Sequence, residues 1–424
     1  MKILVVGSGG REHALVWALA RDQPTATIYC SPGNAGTNGL ATNIPIAAEA
    51  IPDLVAFAER ERIDLVIIGP EGPLALGLAD QLRGRGLIVF GPSAAAAQIE
   101  ASKAWAKDVM TAAGVPTAAS MTFGEMAGAA GYIDRHPEPL VVKASSLAAG
   151  KGAVVCLTRA EAKAAAREML ENRIFGEAGQ VVVIESFLEG EELSLLALTN
   201  GSEIRMLPAA QDHKRLLPGD RGPNTGGMGA YSPVSLETQE LLERVRTRVL
   251  EPTLAEMARR GASFSGVLYA GLMIDAGGQP SVVEFNCRFG DPETQVSLPR
   301  VTGGLFEALH ACSTGLSLPD LTVSSEAAVT TVLAAKGYPD RPEKGARIEI
   351  PADLPPGALV FHAGTVQAGD GSVRVNGGRV LAVTGLASTF EQAQAVSRGA
   401  AERIQFDGKQ YRPDIGWREA ARRS

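Results

Sequence analysis

The stretch 281–295, SVVEFNCRFGDPETQ, holds the densest set of groups able to do chemistry. Val282, Val283 and Phe285 are β-branched or aromatic and predict a strand. Side chains on a strand repeat every two residues, so Glu284 and Asn286 share a face, and Arg288 continues it if the strand runs on. A carboxylate, an amide oxygen and a guanidinium then stand in a row. Hard oxygen donors beside a fixed positive charge suit a magnesium-bound triphosphate. The same pattern also fits an edge strand with a polar solvent face. Gly290-Asp291-Pro292 predicts the turn that ends it.

Two further segments have phosphate character. Lys143 sits in the apolar run PLVVKA, where burial without a partner anion is costly. It precedes a glycine–alanine loop that closes with Gly150, Lys151 and Gly152. The loop is not a Walker A motif: Ser145 stands at the first glycine position and Gly152 at the final Ser/Thr position. Lys143 is therefore expected to face a phosphate, the alternative being an edge lysine that snorkels to solvent. Gly7-Ser8-Gly9-Gly10-Arg11-Glu12 opens a helix after a strand. Glu12 occupies the sixth position of the dinucleotide fingerprint, and no acidic residue ends the second strand, which disfavours NAD. Backbone amides at that helix start could still hold one phosphate, and the plain alternative is a tight turn. Glu185, Phe187, Leu188 and Glu192 form a strand end and acidic turn, a hinge able to offer hydrogen bonds to an adenine and a carboxylate to ribose, the plain alternative being a solvated acidic turn. Asp212-His213-Lys214-Arg215 gathers both charge signs. No serine–histidine–acid set or clustered metal site appears.

The elements that must position these groups divide the chain into three expected domains. Residues 1–101 alternate near-continuously apolar strands with helices, predicting an open parallel α/β sheet. Residues 102–325 read as an α+β block with a lid near 116–190. Its helix from 102 to 113 carries Lys103 and Lys107 one turn apart. Residues 208–235 read as one long functional loop, and a helix follows over 237–260. Residues 326–424 read as a mixed β/α domain with strands near 328–335, 346–350, 358–366 and 379–384, a helix over 389–404, and hairpin turns at 369–371 and Asn376-Gly377.

Composition bounds the rest. The chain has 424 residues, 45% hydrophobic and 21% charged, with a formal net charge of −7 and no basic block. Non-specific binding to nucleic acid or an acidic membrane is disfavoured. Cys30, Cys156, Cys287 and Cys312 form no CxxC pair, so a reducing compartment is expected. The apolar start is too short for a signal-peptide core, and a cytoplasmic protein is expected.

Taken together, the motifs resemble the ATP-grasp superfamily and, within it, the phosphoribosylamine–glycine ligase family. GSGGREHAL, SPGNAGT, GPEGPL, LAAGKG, QDHKR, GPNTGGMGAYSP, FNCRFGDPETQ, FHAGT and NGGRVLAVT carry the likeness from residue 7 to 384. The resemblance implies a two-lobed ATP-grasp core behind the N-terminal α/β domain. It implies a reaction in which ATP, glycine and 5-phosphoribosylamine give glycinamide ribonucleotide, ADP and phosphate. By position, Lys103 and Lys143 would contact ATP phosphates beneath the loop of Gly150, Lys151 and Gly152. Glu185, Phe187 and Leu188 would line the adenine pocket and Glu192 would hold ribose. Glu284 and Asn286 would ligate Mg²⁺ or Mn²⁺. Gly9, Gly10, Arg11, Gly33, Asn34 and Gly36 would cradle phosphoribosylamine, with Gly226 and Gly227 also at the substrate. Asp212 would meet the glycine amine, and Arg288 a carboxylate or the transferred phosphoryl group. Transient contact with neighbouring enzymes of purine synthesis is a further expectation. Where the family has Asp-Gly after Lys-Ala, this chain has Ser145-Ser146. Two other readings stay open: another ATP-grasp ligase or carboxylase acting on a purine intermediate, which substrate omission would separate, and a non-catalytic nucleotide-binding protein, which would bind nucleotide without releasing ADP.

Overall fold

The computed structural model describes residues 1–147 and 152–423. At the N-terminus, Lys2–Gly7 forms the centre of a five-stranded sheet in the order Thr42–Asn43, Thr27–Pro32, Lys2–Gly7, Leu65–Ile68, Val89–Phe90. All four pairings are parallel. Ile3, Leu4, Val5 and Val6 are fully buried because the sheet is covered on both faces. The helix expected at 73–83 is two short ones, Glu71–Ala75 and Leu78–Arg83. Gly77 breaks it with a φ of +81°, a conformation only glycine adopts cheaply.

The lid is a four-stranded antiparallel sheet in the order Ser120–Phe123, Val182–Ser186, Leu140–Ala144, Ala153–Cys156. Helices Met126–Arg135 and Arg159–Leu170 pack on it around a core of its own, including Ile133, Val142, Met169 and Ile184. A second core is continuous from Leu4 through Phe264 and Phe285 to Phe390, so it spans the N-terminal sheet, the central block and the C-terminal sheet.

The central four-stranded sheet runs Ile204–Met206, Glu191–Thr199, Gly266–Ile274, Pro280–Asn286. Pro280–Asn286 stands at its edge, yet that edge is covered: the Val282 amide donates to the Pro116 carbonyl at 2.7 Å. The strand expected at 116–122 starts only at Ser120, because Thr117 is used in this bridge. The register slips between Gly271 and Leu272, whose partners are Glu284 and Val282. The slip leaves Val283 unpaired in a bulge that re-aims its carbonyl.

The segment 208–235 is not a loop. It folds as Gln211–Asp212, Arg215–Leu217, Arg221–Asn224 and Gly229–Ser232, strands too short for a two-residue period to show among glycines and prolines. Gly229–Ser232 pairs with Ala327–Ala334, so one five-stranded sheet draws strands from both sides of residue 326. The helix expected over 237–260 contains a π turn, Arg246–Leu250. In the C-terminal region, residues 346–350 make only isolated bridges, and the strand expected at 358–366 splits into Ala358–His362 and Thr365–Gln367. Asn376-Gly377 joins strands of different sheets and is not a hairpin turn, since Arg379–Ala387 pairs with Ala327–Ala334 and Ala358–His362. A final helix, Trp417–Arg423, has no counterpart in the sequence expectations.

Candidate active site

Between the lid and the central sheet lies a cleft of about 1300 Å³, counting its open mouth. Its walls include Lys103, Lys143, Gly152, Glu185, Phe187, Leu188, Glu192, Asp212, Gly226, Glu284, Asn286 and Arg288. Residues from 103 to 288 that were read as separate motifs thus meet in one place. A smaller cavity adjoins it and shares Lys103, Lys143, Glu185, Glu284, Asn286 and Arg288.

Lys143 is buried on a strand flanked on both sides, so it is not an edge lysine. Its Nζ lies 2.8 Å from Glu185 Oε2 and donates to the Val283 carbonyl, freed by the bulge, at 3.0 Å. Lys103 starts the helix Lys103–Ala112. Ser145 holds this helix end: its Oγ accepts from the Ala104 amide at 3.2 Å, and its carbonyl accepts from the Lys103 amide at 2.8 Å. Burial, with Lys143 close by, pushes the Lys103 ammonium below its ordinary range. Its side chain has no hydrogen bond or ion pair among the described residues.

Glu284 likewise has no direct partner there. Burial would raise its carboxyl, but Lys214, Lys103, Lys143 and Arg288 together hold it below the usual carboxylate range. An ionised carboxylate beside the Asn286 amide oxygen is a suitable donor pair for a hard cation. No group of three or more His, Cys, Asp or Glu among the described residues is placed to hold a metal ion. These two donors therefore fit an ion that takes its other ligands from phosphate and water, as Mg²⁺ does.

Arg288 lies past the strand end and is braced by two carboxylates, Glu100 at 3.1 Å and Glu71 at 3.3 Å. Glu100 also accepts the Cys287 amide at 2.8 Å. Burial lowers the Arg288 guanidinium's affinity for its proton, but Glu100, Glu71 and Glu293 more than reverse this. Cys287 points into the core, as alternation requires.

Asp212 faces the opposite wall. Its Oδ1 is buried without a hydrogen-bond partner among the described residues. Burial, Glu293 and Glu192 push its carboxyl well above the usual range, against the pull of Lys214 and Arg379. Lys214 pairs with Glu192 at 2.7 Å. Burial would lower the Lys214 ammonium, and Glu192, Glu284 and Asp212 outweigh it, so it is held well above its ordinary value. Glu293 accepts from Ser194 at 3.1 Å and Tyr269 at 3.0 Å.

Gly9, Gly10, Arg11, Gly33, Asn34, Gly36 and Gly227 line neither cavity. Asn34 ties the two N-terminal loops together, donating to the Ser8 carbonyl at 2.9 Å and the His362 carbonyl at 2.8 Å. Arg11 donates to the Phe289 carbonyl at 3.1 Å. These loops adjoin the cleft through Asp291: a Cβ on Gly9 would lie 3.4 Å from Asp291 Oδ2, and Asp291 lines the cleft. Gly150 and Lys151 lie outside the described residues. Sequence reasoning missed Lys107, Glu71, Glu100, Lys214, Tyr269, Asp291, Glu293 and Arg379. Glu71, Lys214, Asp291, Glu293 and Arg379 sit inside quoted motifs, a usable signal. Glu100 carries none, since its partner Arg288 is remote in the chain.

A lid sheet over a central antiparallel sheet, with lysines from both lobes facing a Glu-x-Asn strand, defines the ATP-grasp class of ligases. The Phosphoribosylglycinamide synthetase descriptions match this chain in order: the N domain over 1–100, the ATP-grasp (A) domain over 101–294 and the C domain over 328–418. The chain belongs to the phosphoribosylglycinamide synthetase family. It is similar to the phosphoribosylamine–glycine ligase of Ralstonia nicotianae, 49% identical over 100% of both chains. The crystal structure of that enzyme from Thermotoga maritima is 34% identical, with a TM-score of 0.87 over 98% of this chain and 100% of that one. The biotin carboxylase domain of Hydrogenobacter thermophilus 2-oxoglutarate carboxylase shares the fold, with a TM-score of 0.74 and 18% identity over 97% and 91% of the two chains.

Proposed function

We propose that this protein joins glycine to 5-phosphoribosylamine at the expense of ATP, giving glycinamide ribonucleotide, ADP and phosphate in purine synthesis. One observation carries the reading of the site. The Lys103 ammonium, the Glu284 carboxylate and Asp212 Oδ1 face one cleft, and none has a hydrogen-bond or ion-pair partner among the described residues. Those are an anion seeker, a cation seeker and an amine seeker, which matches a phosphate, a metal ion and an amino acid.

Lys103 and Lys143 hold the phosphates, Glu185, Phe187 and Leu188 wall the adenine, and Glu192 stands at the rim for ribose. Glu284 and Asn286 hold the divalent cation, magnesium or manganese, which supplies charge neutralisation to the phosphates when bound. Asp212 orients the glycine amine. The glycine carboxylate attacks the γ-phosphorus, ADP leaves, and glycyl phosphate results. The amine of phosphoribosylamine then attacks its carbonyl, expels phosphate and gives up a proton. Arg288, fixed by Glu71 and Glu100, stabilises the negative charge in flight. The chain needs no covalent nucleophile, so its contribution is positioning, charge and exclusion of water. Gly9, Gly10, Arg11, Gly33, Asn34 and Gly36 belong to the acceptor's side, adjoining Asp291, while Gly226 and Gly227 back Asp212. The division at 1–101, 102–325 and 326–424, a cytoplasmic setting and transient contacts with neighbouring purine enzymes belong to the same reading.

The test is ADP release with ATP, Mg²⁺, glycine and freshly prepared phosphoribosylamine, each omitted in turn. Full release only with all four supports the reading. Release that ignores glycine would overturn it.

A further inference from the structure

Lys107 lines only the smaller cavity and has no part in the assignments above. It follows Lys103 by one turn of the helix Lys103–Ala112 and is buried. An ammonium has three protons to donate and no acceptor. Lys107 spends all three: on Thr117 Oγ1 at 2.8 Å, the Ala118 carbonyl at 3.2 Å and Glu185 Oε1 at 3.2 Å. Thr117 in turn donates to the Val282 carbonyl at 2.6 Å. Lys143 takes the other Glu185 oxygen and the Val283 carbonyl, which among the described residues leaves it one proton, and it lines the main cleft. Two ammoniums thus share one carboxylate, and the excess positive charge belongs to the lysine with a donor to spare.

We propose that Lys107 is a positioning residue for nucleotide binding: by neutralising Glu185 it leaves the charge of Lys143 available to the phosphates. The proposal rests on the reading that this cleft takes ATP. Without Lys107, Lys143 and Glu185 would close into a neutral pair, and a buried carboxylate would compete with the incoming phosphate for the same ammonium. The role is electrostatic and acts through Lys143, so it discriminates between a nucleotide and its nucleoside.

The experiment measures binding of Mg·ATP and of adenosine to the full-length protein by calorimetry. The proteins compared are wild type, Lys107→Met, Lys107→Arg and Lys107→Met/Glu185→Gln, each checked for folding by circular dichroism. Lys107→Met is expected to weaken ATP by about tenfold or more, with adenosine changed by less than about twofold. Lys107→Arg is expected to retain ATP binding. The double variant, in which the competing charge is gone, is expected to show an ATP-to-adenosine affinity ratio at least about fivefold above that of Lys107→Met, since any change Glu185→Gln makes at the adenine wall falls on both ligands. Equal losses of ATP and adenosine in Lys107→Met would overturn the proposal, as would a double variant whose ATP-to-adenosine ratio is no higher than that of Lys107→Met. If Lys107→Met fails to fold, the arginine and double variants decide: loss of ATP but not adenosine binding in both overturns it. A wild-type protein that binds adenosine but gains nothing from the triphosphate would overturn the reading of the cleft itself.

Discussion

At the scale of single residues, the site is a set of charges whose partners are chosen unevenly. Glu284 is kept ionised by four cations without touching any of them closely, whereas Lys143 is held by a carboxylate and a carbonyl. Different failures are expected from them. Glu284→Ala removes one of the two proposed metal donors and is expected to abolish turnover even at saturating substrates. Turnover measured across a Mg²⁺ series checks this, and wild-type-like rates would sink the assignment. Lys143→Ala is expected to raise the KM for ATP and lower kcat together, by about tenfold each, since a charge-assisted contact is worth about 1.5–3 kcal/mol. Steady-state kinetics with unchanged values of both would refute it.

At the scale of elements, the segment 211–232 matters most. Its four short strands and the turns between them bring Asp212, Lys214, Asn224, Thr225 and Gly226 to the wall of the cleft. Gly227 links them with a φ of +111°, and a Cβ there would fall 2.5 Å from Pro292 Cδ and 2.9 Å from Asp212 Oδ1. Gly227→Ala is therefore expected to cost about 1–3 kcal/mol of stability. It should also raise the KM for glycine more than that for ATP, because the displaced group is Asp212. Thermal melting and kinetics with each substrate varied would check both parts.

At the scale of the molecule, two buried histidines, His13 and His213, and the half-buried His362 join parts distant in sequence. The His362 amide donates to His13 Nδ1 at 2.7 Å, and the Gly416 amide donates to His213 Nε2 at 3.1 Å. Burial lowers His13 and His213 to about 3 and His362 to about 4. The unfolded chain protonates each near 6.5, so below that pH it binds more protons than the folded state. Stability is then complete above pH 6.5 and falls as the pH drops towards 4. Between pH 6.5 and 5 each histidine accounts for a loss of about 2 kcal/mol. Urea midpoints at pH 7 and pH 5 are expected to differ accordingly, and His13→Gln should shrink the difference. An equal midpoint at both pH values would contradict the assignment. No helix among the described residues is long and apolar enough to cross a membrane.

The sequence by itself determined which chemistry was at hand: the Glu284-x-Asn286 strand, the strand lysine Lys143, the parallel N-terminal sheet and the family likeness. Those signals are local, because strand and helix periods repeat within two to four residues and motifs are contiguous. Only the tertiary structure decided who neutralises whom. Arg288 meets Glu71 across 217 positions of chain, Lys107 and Lys143 divide Glu185 between them, and Gln211–Asp212 joins a sheet begun by strands beyond residue 326. No spacing rule encodes such pairs, since burial selects partners by position in space. The site's charge balance, and the bulge that turns the Val283 carbonyl towards Lys143, became readable only when those distant segments were folded together.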